Sequence, residues 1–186
     1  FDMEELRAIE WPIYGGTFID PYGLTFAILM WVLIVFLKRE YKIFPFLMIV
    51  CFMTSMQHFN VFNLNFSFIR IANLIGMALV LLSSKYSLKL NKIDKVMLCF
   101  MVSDIFFNTI LEGSSGFAYK LGKSCDTIAA YFFLRYIFKD IKDFNVIMKI
   151  LAVLSILIAA FMLNEIVTGR NLFSVLGGVP EFTAIR

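Results

Sequence analysis

Of the 186 residues in this chain, 60% are hydrophobic and only 17% are charged, for a mean hydropathy of +0.82. Soluble domains run at roughly 45–50% apolar and about 25% charged, so this composition exceeds what one soluble core buries and points to an integral membrane protein. The net charge of +3 is too small to imply nucleic acid, and the basic residues sit between apolar runs, where they report topology.

No basic n-region with a cleavage site opens the chain, so no signal peptide is expected, and a chain that begins at Phe1 reads as a fragment. Trp11, Tyr14 and Tyr22 fit an aromatic belt at a membrane boundary. Six apolar segments follow, at residues 21–37, 43–57, 66–84, 95–111, 118–138 and 144–163. They are filled by Met, Leu, Phe and Ile, are too long for barrel strands and lack a two-residue alternation, so all six are expected to be helices. A membrane helix needs about 20 mainly apolar residues, and several of these spans must borrow charged flanks that snorkel to the interface. The expected fold is therefore all-α, a polytopic transmembrane bundle over residues 1–163, with residues 164–186 beginning a loop in water.

The breaks between spans fall at residues 38–40, 60–65, 85–95, 112–116 and 139–143. Lys38, Arg39 and Lys42, then Lys85, Lys89, Lys92 and Lys95, then Lys139 and Lys142 occupy alternate connections, while 59–65 and 112–117 hold no Lys or Arg. The positive-inside rule puts the basic loops in the cytoplasm and both the N-terminus and the tail outside, which in a bacterial inner membrane is the periplasm. Ala72-x-x-x-Gly76 and Ser155-x-x-x-Ala159 suggest close helix contacts. Cys51, Cys99 and Cys125 fall in different apolar segments without ligand spacing and are expected as buried thiols. Neither a metal site nor a cofactor is expected.

An ionisable residue near the centre of a membrane helix costs at least about 2.5 kcal/mol and needs a partner or a wet cavity. Arg70, Lys120, Lys123, Asp126 and Asp104 are all expected in the outer half. At ~1.5 Å per residue, Lys123 and Asp126 would lie roughly 8 and 12 Å below the outer boundary. Two arrangements fit. In one, Lys123 and Asp126 pair at i and i+3 while Arg70 snorkels. In the other, Arg70 with Lys120 or Lys123 presents positive charge to an anionic lipid headgroup, and the carboxylates hold the cations in place. Arg135 and Lys149 read as cytoplasmic-side snorkellers. His58 is the only histidine; without a second His or a Ser–His pair it reads as a structural residue at the interface. The glycines at 113 and 116 read as a short outer turn, and Gly177-Gly178 has no P-loop lysine.

The most distinctive stretch runs from Asn164 to Pro180, where charge, Gly and Pro mix as a helix leaves lipid for water. Glu165, Thr168, Gly169, Arg170, Asn171, Leu172 and Phe173, followed by Gly177, Gly178, Val179, Pro180 and Arg186, resemble a stretch of the O-antigen ligase and polymerase family of bacterial membrane glycosyltransferases. Asn65-Phe66 with Arg70, and Gly122, Asp126 and Tyr131 with Arg135, are also similar to that group, from about Pro45 onward.

The resemblance implies an enzyme that takes a glycan from an undecaprenyl-pyrophosphate carrier and transfers it, at the periplasmic face, to lipid A-core or a growing polysaccharide. In such chemistry arginines neutralise the pyrophosphate leaving group and a general base activates the acceptor hydroxyl. It implies carrier contacts for Arg70, Lys123, Arg170 and Arg186 and supporting roles for Asp126 and Glu165. Helix-end solvation is the alternative for Glu165 and Arg170. The family's further Arg residues and its His would follow Arg186, so no catalytic residue is assigned. The implied partners are membrane lipid, the carrier-linked glycan and its acceptor. A different class also fits the layout: a non-catalytic polytopic protein such as a transporter, flippase-like protein or envelope-assembly factor. Transporters often carry internal repeats and mid-membrane helix breaks, and neither is visible here.

Overall fold

The computed structural model describes residues 19–54, 57–61, 64–83 and 90–177. Trp11, Tyr14, Lys85, Lys89, Gly178, Val179, Pro180 and Arg186 lie outside the described residues. The chain is mostly helical, and the first helix, α1 (Pro21–Phe36), starts where Asp20 accepts the Tyr22 and Gly23 N–H groups at 2.9 and 3.2 Å. Pro21 fits the first turn because its missing N–H would have had no helical partner there. A 3-10 turn at Arg39–Tyr41 then leads to α2 (Ile43–Phe52).

Lys42 closes that corner. Its Nζ donates to the Ile34 and Val35 carbonyls at 2.5 and 2.7 Å, satisfying acceptors that the last turn of α1 leaves open. At the far end of α1, Gln57 accepts from the Asp20 N–H at 3.4 Å, so residues 42–57 retrace the whole length of α1. The sequence predicts one helix over 43–57, but α2 stops at ten residues, about 15 Å. Its backbone turns extended at Met53, and just beyond it Thr54 Oγ1 is buried with no hydrogen-bond partner among the described residues.

Two short strands were not expected. β1 (His58–Val61) and β2 (Leu64–Ser67) pair antiparallel, with His58 opposite Ser67 and Asn60 opposite Asn65. The hairpin delivers the chain to α3 (Phe68–Leu82), whose start is capped by Ser67 accepting the Arg70 N–H at 3.3 Å.

The next helix, α4 (Lys92–Ile137), is helical throughout except at Gly113, where φ is 70° and ψ −148°. Asp94 accepts from Tyr131 and Arg135, and Asp104 accepts from Lys120 at 3.2 Å. A straight helix would separate Asp94 from Arg135 by about 60 Å at ~1.5 Å per residue. The chain therefore folds back at Gly113 into two antiparallel arms, 92–113 and 114–137. A side chain at that φ and ψ would be strained, which is why glycine stands at the reversal.

The last helix, α5 (Ile141–Thr168), opens with a reciprocal Asp140–Asp143 capping box and closes on Gly169, in the left-handed conformation at φ 69°. A 3-10 helix at Leu172–Leu176 follows.

Among the described residues two segments are long and apolar enough to cross a membrane, Lys92–Gly113 and Ile141–Thr168; α1 and α3 are apolar but shorter. The core joins Ala27 and Ile34 of α1, Ile49 of α2, Phe68 and Ala72 of α3 and Phe133 of α4. Outside it, arm 92–113 exposes Ile93, Val96, Phe100, Val102, Phe106 and Phe107, large apolar side chains of the kind that meet lipid or a partner.

Arg39 pairs with Asp143 at 2.9 Å and Arg135 with Asp94, gathering the connections around residues 38–42, 91–95 and 138–143 at one end of the bundle. At the other end Gln57 Nε2 donates to the Leu176 carbonyl at 2.5 Å, joining the hairpin to the start of α1 and to the segment after α5.

Three expectations need correcting. Cys99 and Cys125 are exposed rather than buried, and Cys51 is half-buried; the first two sit on helix faces turned away from the core. Ser155 and Ala159 are exposed and mark no helix contact among the described residues. Arg135 is no lone snorkeller, since it is the ion-pair partner of an Asp94 side chain only 1% exposed.

Candidate functional site

Arg70 enters its site from the first turn of α3, which the Ser67 cap holds in place. Its Nε donates to both Asp126 oxygens, at 3.0 and 2.9 Å, and Nη2 lies 2.8 Å from Oδ2. Nη1 donates to the Asn65 carbonyl of β2 at 2.5 Å. The guanidinium is thus gripped from the hairpin on one side and from arm 114–137 on the other. Both side chains are 27% exposed, which leaves the pair open at the surface of the α3–α4 seam.

That seam can form because α3 and arm 114–137 run parallel at close range. Arg70 meets Asp126 near its start, and further along Gly76 faces Phe133, where a Cβ would fall 2.6 Å from the ring's Cγ. Ala72-x-x-x-Gly76 therefore does mark the approach at its glycine. Gly122 stands over the guanidinium: a Cβ there would lie 3.5 Å from Nη2, and its absence leaves that nitrogen less covered.

A guanidinium carries five N–H donors. Nε and Nη1 donate to Asp126 and Asn65 and Nη2 lies in ion-pair contact with Asp126, so one N–H on Nη1 and one on Nη2 are left without an acceptor among the described residues. Asp126 neutralises the Arg70 charge and fixes its orientation, because two parallel N–H···O bonds define a plane. One turn earlier on the arm, Lys123 is exposed and makes no ion pair with Asp126 among the described residues. The local i, i+3 pairing open to the sequence is thus replaced by a cross-helix one, and Lys120 is taken up by Asp104 at 3.2 Å. Asp104 also accepts from Asn108 Nδ2 at 3.0 Å.

The other expected site residues stand elsewhere. Glu165 is half-buried and Arg170 exposed at the end of α5, which packs against α2 and the two 3-10 helices. The Glu165 carbonyl accepts the Gly169 N–H at 2.8 Å, and Thr168 Oγ1 accepts the Arg170 N–H at 3.2 Å. Asn171 accepts the Phe173 N–H at 2.9 Å, and the Phe173 ring packs on Phe52 and Phe161 with centroids 5.6 and 5.3 Å away. Much of the tail stretch is thus structural, stopping α5 and pinning the 3-10 helix. Arg186 falls outside the described residues.

Two contributors were not legible in the sequence. The Asn65 carbonyl acts through the backbone, which no motif records. Asn73 is buried one turn beyond Arg70, with its Oδ1 unpartnered among the described residues; its only sequence signal was a polar residue in an apolar run. No group of three or more His, Cys, Asp or Glu side chains that could hold a metal occurs among the described residues. No family model matches the chain, and neither does any curated protein or solved structure.

Proposed function

We propose that this chain belongs to a multi-pass membrane glycosyltransferase of the O-antigen ligase and polymerase type in a bacterial inner membrane. It would transfer glycan from an undecaprenyl-pyrophosphate carrier to lipid A-core or a growing polysaccharide at the periplasmic face. The observation that carries the reading is Arg70, preorganised by Asn65 and Asp126 with two N–H donors that meet no acceptor among the described residues. A lipid pyrophosphate leaving group needs fixed donors of this kind where negative charge develops. The exposed Lys123 adds positive charge one turn from the pair. Arg170 and Glu165 leave α5 where the chain resembles that family, and with Arg186 they complete the proposed carrier surface.

In this reading α1, residues 43–57, α3, both arms of α4 and α5 are the six crossings. Residues 43–57 count because Lys42, just before them, and Gln57 bond to opposite ends of α1. The basic connections at the Arg39 end face the cytoplasm by the positive-inside rule.

A second reading is favoured by one observation: Arg70, Lys120 and Arg135 each have a carboxylate partner. Paired charges suit a non-catalytic membrane protein, such as a transporter or assembly factor, in which they only join helices. Glycan transfer by the full-length protein, reconstituted with a carrier-linked glycan and acceptor, separates the two. Arg70→Ala and Arg170→Ala should each lower the rate at least about a hundredfold, the order expected for removing one charge-stabilising donor. Undiminished transfer by both variants, each folded by circular dichroism, refutes the carrier-binding roles.

A further inference from the structure

The end of the bundle away from the hairpin holds two carboxylates inside and a set of lysines outside. Asp94, its side chain 1% exposed, accepts from Tyr131, Arg135 and the Asn91 N–H. Asp143, 6% exposed, accepts from Arg39 and from the Lys139 and Asp140 N–H groups. Each carboxylate is thus satisfied by an arginine and by neutral donors. Lys38 stands beside Arg39, Lys92 and Lys95 flank Asp94, and Lys139 and Lys142 flank Asp143; all five lysines are exposed. Lys38, Lys92, Lys95 and Lys142 take part in no ion pair among the described residues. Against the five stand Glu40 and Asp140, the carboxylates of these connections that lie outside the two arginine pairs. The pairs hold the three stretches together, and Arg135 comes just four residues before Lys139, so the lysines share one surface.

Large apolar side chains interleave with these lysines. Ile93 and Val96 are 74% and 70% exposed beside Lys92 and Lys95, and Ile141 and Phe144 are 82% and 52% exposed beside Lys142. The same turns open Lys92–Gly113 and Ile141–Thr168, the two segments long and apolar enough to cross a membrane among the described residues. We propose that this end of the bundle docks the headgroups of anionic phospholipids. Their phosphates meet the five ammonium groups, which flexible stems carry outward, while the adjoining acyl chains cover Ile93, Val96, Ile141 and Phe144. An acidic protein face would match the charge but not the hydrocarbon that begins one residue from each lysine pair, so lipid is the occupant. The arginines join the connections to one another and the lysines are left for the membrane, so lipid can come and go without loosening the fold. The inference rests on the membrane-spanning arrangement proposed above and not on glycan transfer.

The test places the full chain in nanodiscs of phosphatidylcholine with a minor share of phosphatidylglycerol bearing the same acyl chains. Native mass spectrometry then counts the lipids that stay on the released protein. Phosphatidylglycerol should be retained well above its share of the bilayer, and the enrichment should fall as salt is raised. Lys92→Gln with Lys95→Gln, and Lys139→Gln with Lys142→Gln, should each reduce it by up to about fivefold per lysine, the worth of one lysine at an anionic surface. Thermal unfolding of both variants by circular dichroism should match the unchanged protein, because the arginine pairs remain. Arg70→Ala should leave the enrichment intact, which separates this surface from the proposed carrier site. No enrichment on the unchanged protein overturns the proposal without relying on any variant's folding. Enrichment that survives all four lysine substitutions, or is lost with Arg70→Ala, puts the anion elsewhere and overturns it too. A chain that fails to enter nanodiscs at all refutes the membrane-spanning arrangement, and this proposal with it.

Discussion

Replacing Gly76 by alanine tests the parallel packing of α3 against arm 114–137, on which the Arg70–Asp126 register depends. The added Cβ would lie 2.6 Å from Phe133 Cγ and 2.9 Å from both Cδ atoms. Carbon atoms rest comfortably at about 3.5–4.0 Å, so roughly 1 Å of separation has to be found. Phe133 cannot supply it by swinging outward, because it is fully buried and its ring packs edge-on against Phe46 at 5.3 Å. The helices must part, and overpacking of this kind costs about 1–3 kcal/mol.

Reversible unfolding in mixed micelles, followed by circular dichroism, should show a loss of that size for Gly76→Ala. Phe133→Leu alone should also destabilise, by removing the contact with Phe46. Combined with Gly76→Ala, however, it should restore stability relative to the sum of the single losses, with a coupling of at least about 0.5 kcal/mol. A neutral Gly76→Ala, or strict additivity in the double variant, refutes the close approach of these helices and with it the geometry of the site.

Other expectations follow from single contacts. Gly113→Ala should cost about 1–3 kcal/mol in the same assay, and Gly113→Asn should cost as much, because ψ −148° lies outside the left-handed region that asparagine tolerates. Gly169→Asn should be nearly silent, since φ 69° and ψ 4° fall inside that region; equal effects at the two positions would contradict the assigned backbone. Gln57→Leu strands the Leu176 carbonyl and should cost about 1–3 kcal/mol, visible as faster limited proteolysis near residues 172–176; unchanged cleavage would count against the clasp. Burial lowers the Lys42 pKa, so the unfolded chain binds this proton more tightly than the folded one. Stability should therefore rise as pH climbs towards the ordinary lysine value, about 10.4, and Lys42→Met should remove that slope.

How far the sequence could be read depended on the range of each interaction. The reversal at Gly113 falls within the break expected at residues 112–116 because glycine, serine and glutamate interrupt the apolar run locally. The basic connections were legible for the same reason, and Arg39–Asp143 and Arg135–Asp94 draw them to one end. The hairpin was not: Asn60 and Asn65 signalled a break, but their pairing depends on backbone hydrogen bonds that apolar periodicity does not encode.

The site failed at a different level. Lys123 and Asp126 are neighbours along one helix, so the sequence offers that pair. Arg70 wins Asp126 because the approach at Gly76 sets two helices in register and a guanidinium can take both carboxylate oxygens at once. Asn73 drew no notice because only the packing of α3 against its neighbours buries it.

The fold-back at Gly113 also bears on how the proposed membrane protein would be made. Under the membrane-spanning arrangement proposed above, an arm delivered singly into a bilayer would bring Asp104, and its partner Lys120, each without the ion-pair partner it has in the fold. Each charge carries a penalty of about 2.5–3.5 kcal/mol at the centre of a helix, less near its ends. Released together as a preformed hairpin, the arms present Asp104 with Lys120 and Asp94 with Arg135. The order of synthesis favours this, because the glycine emerges between the two arms.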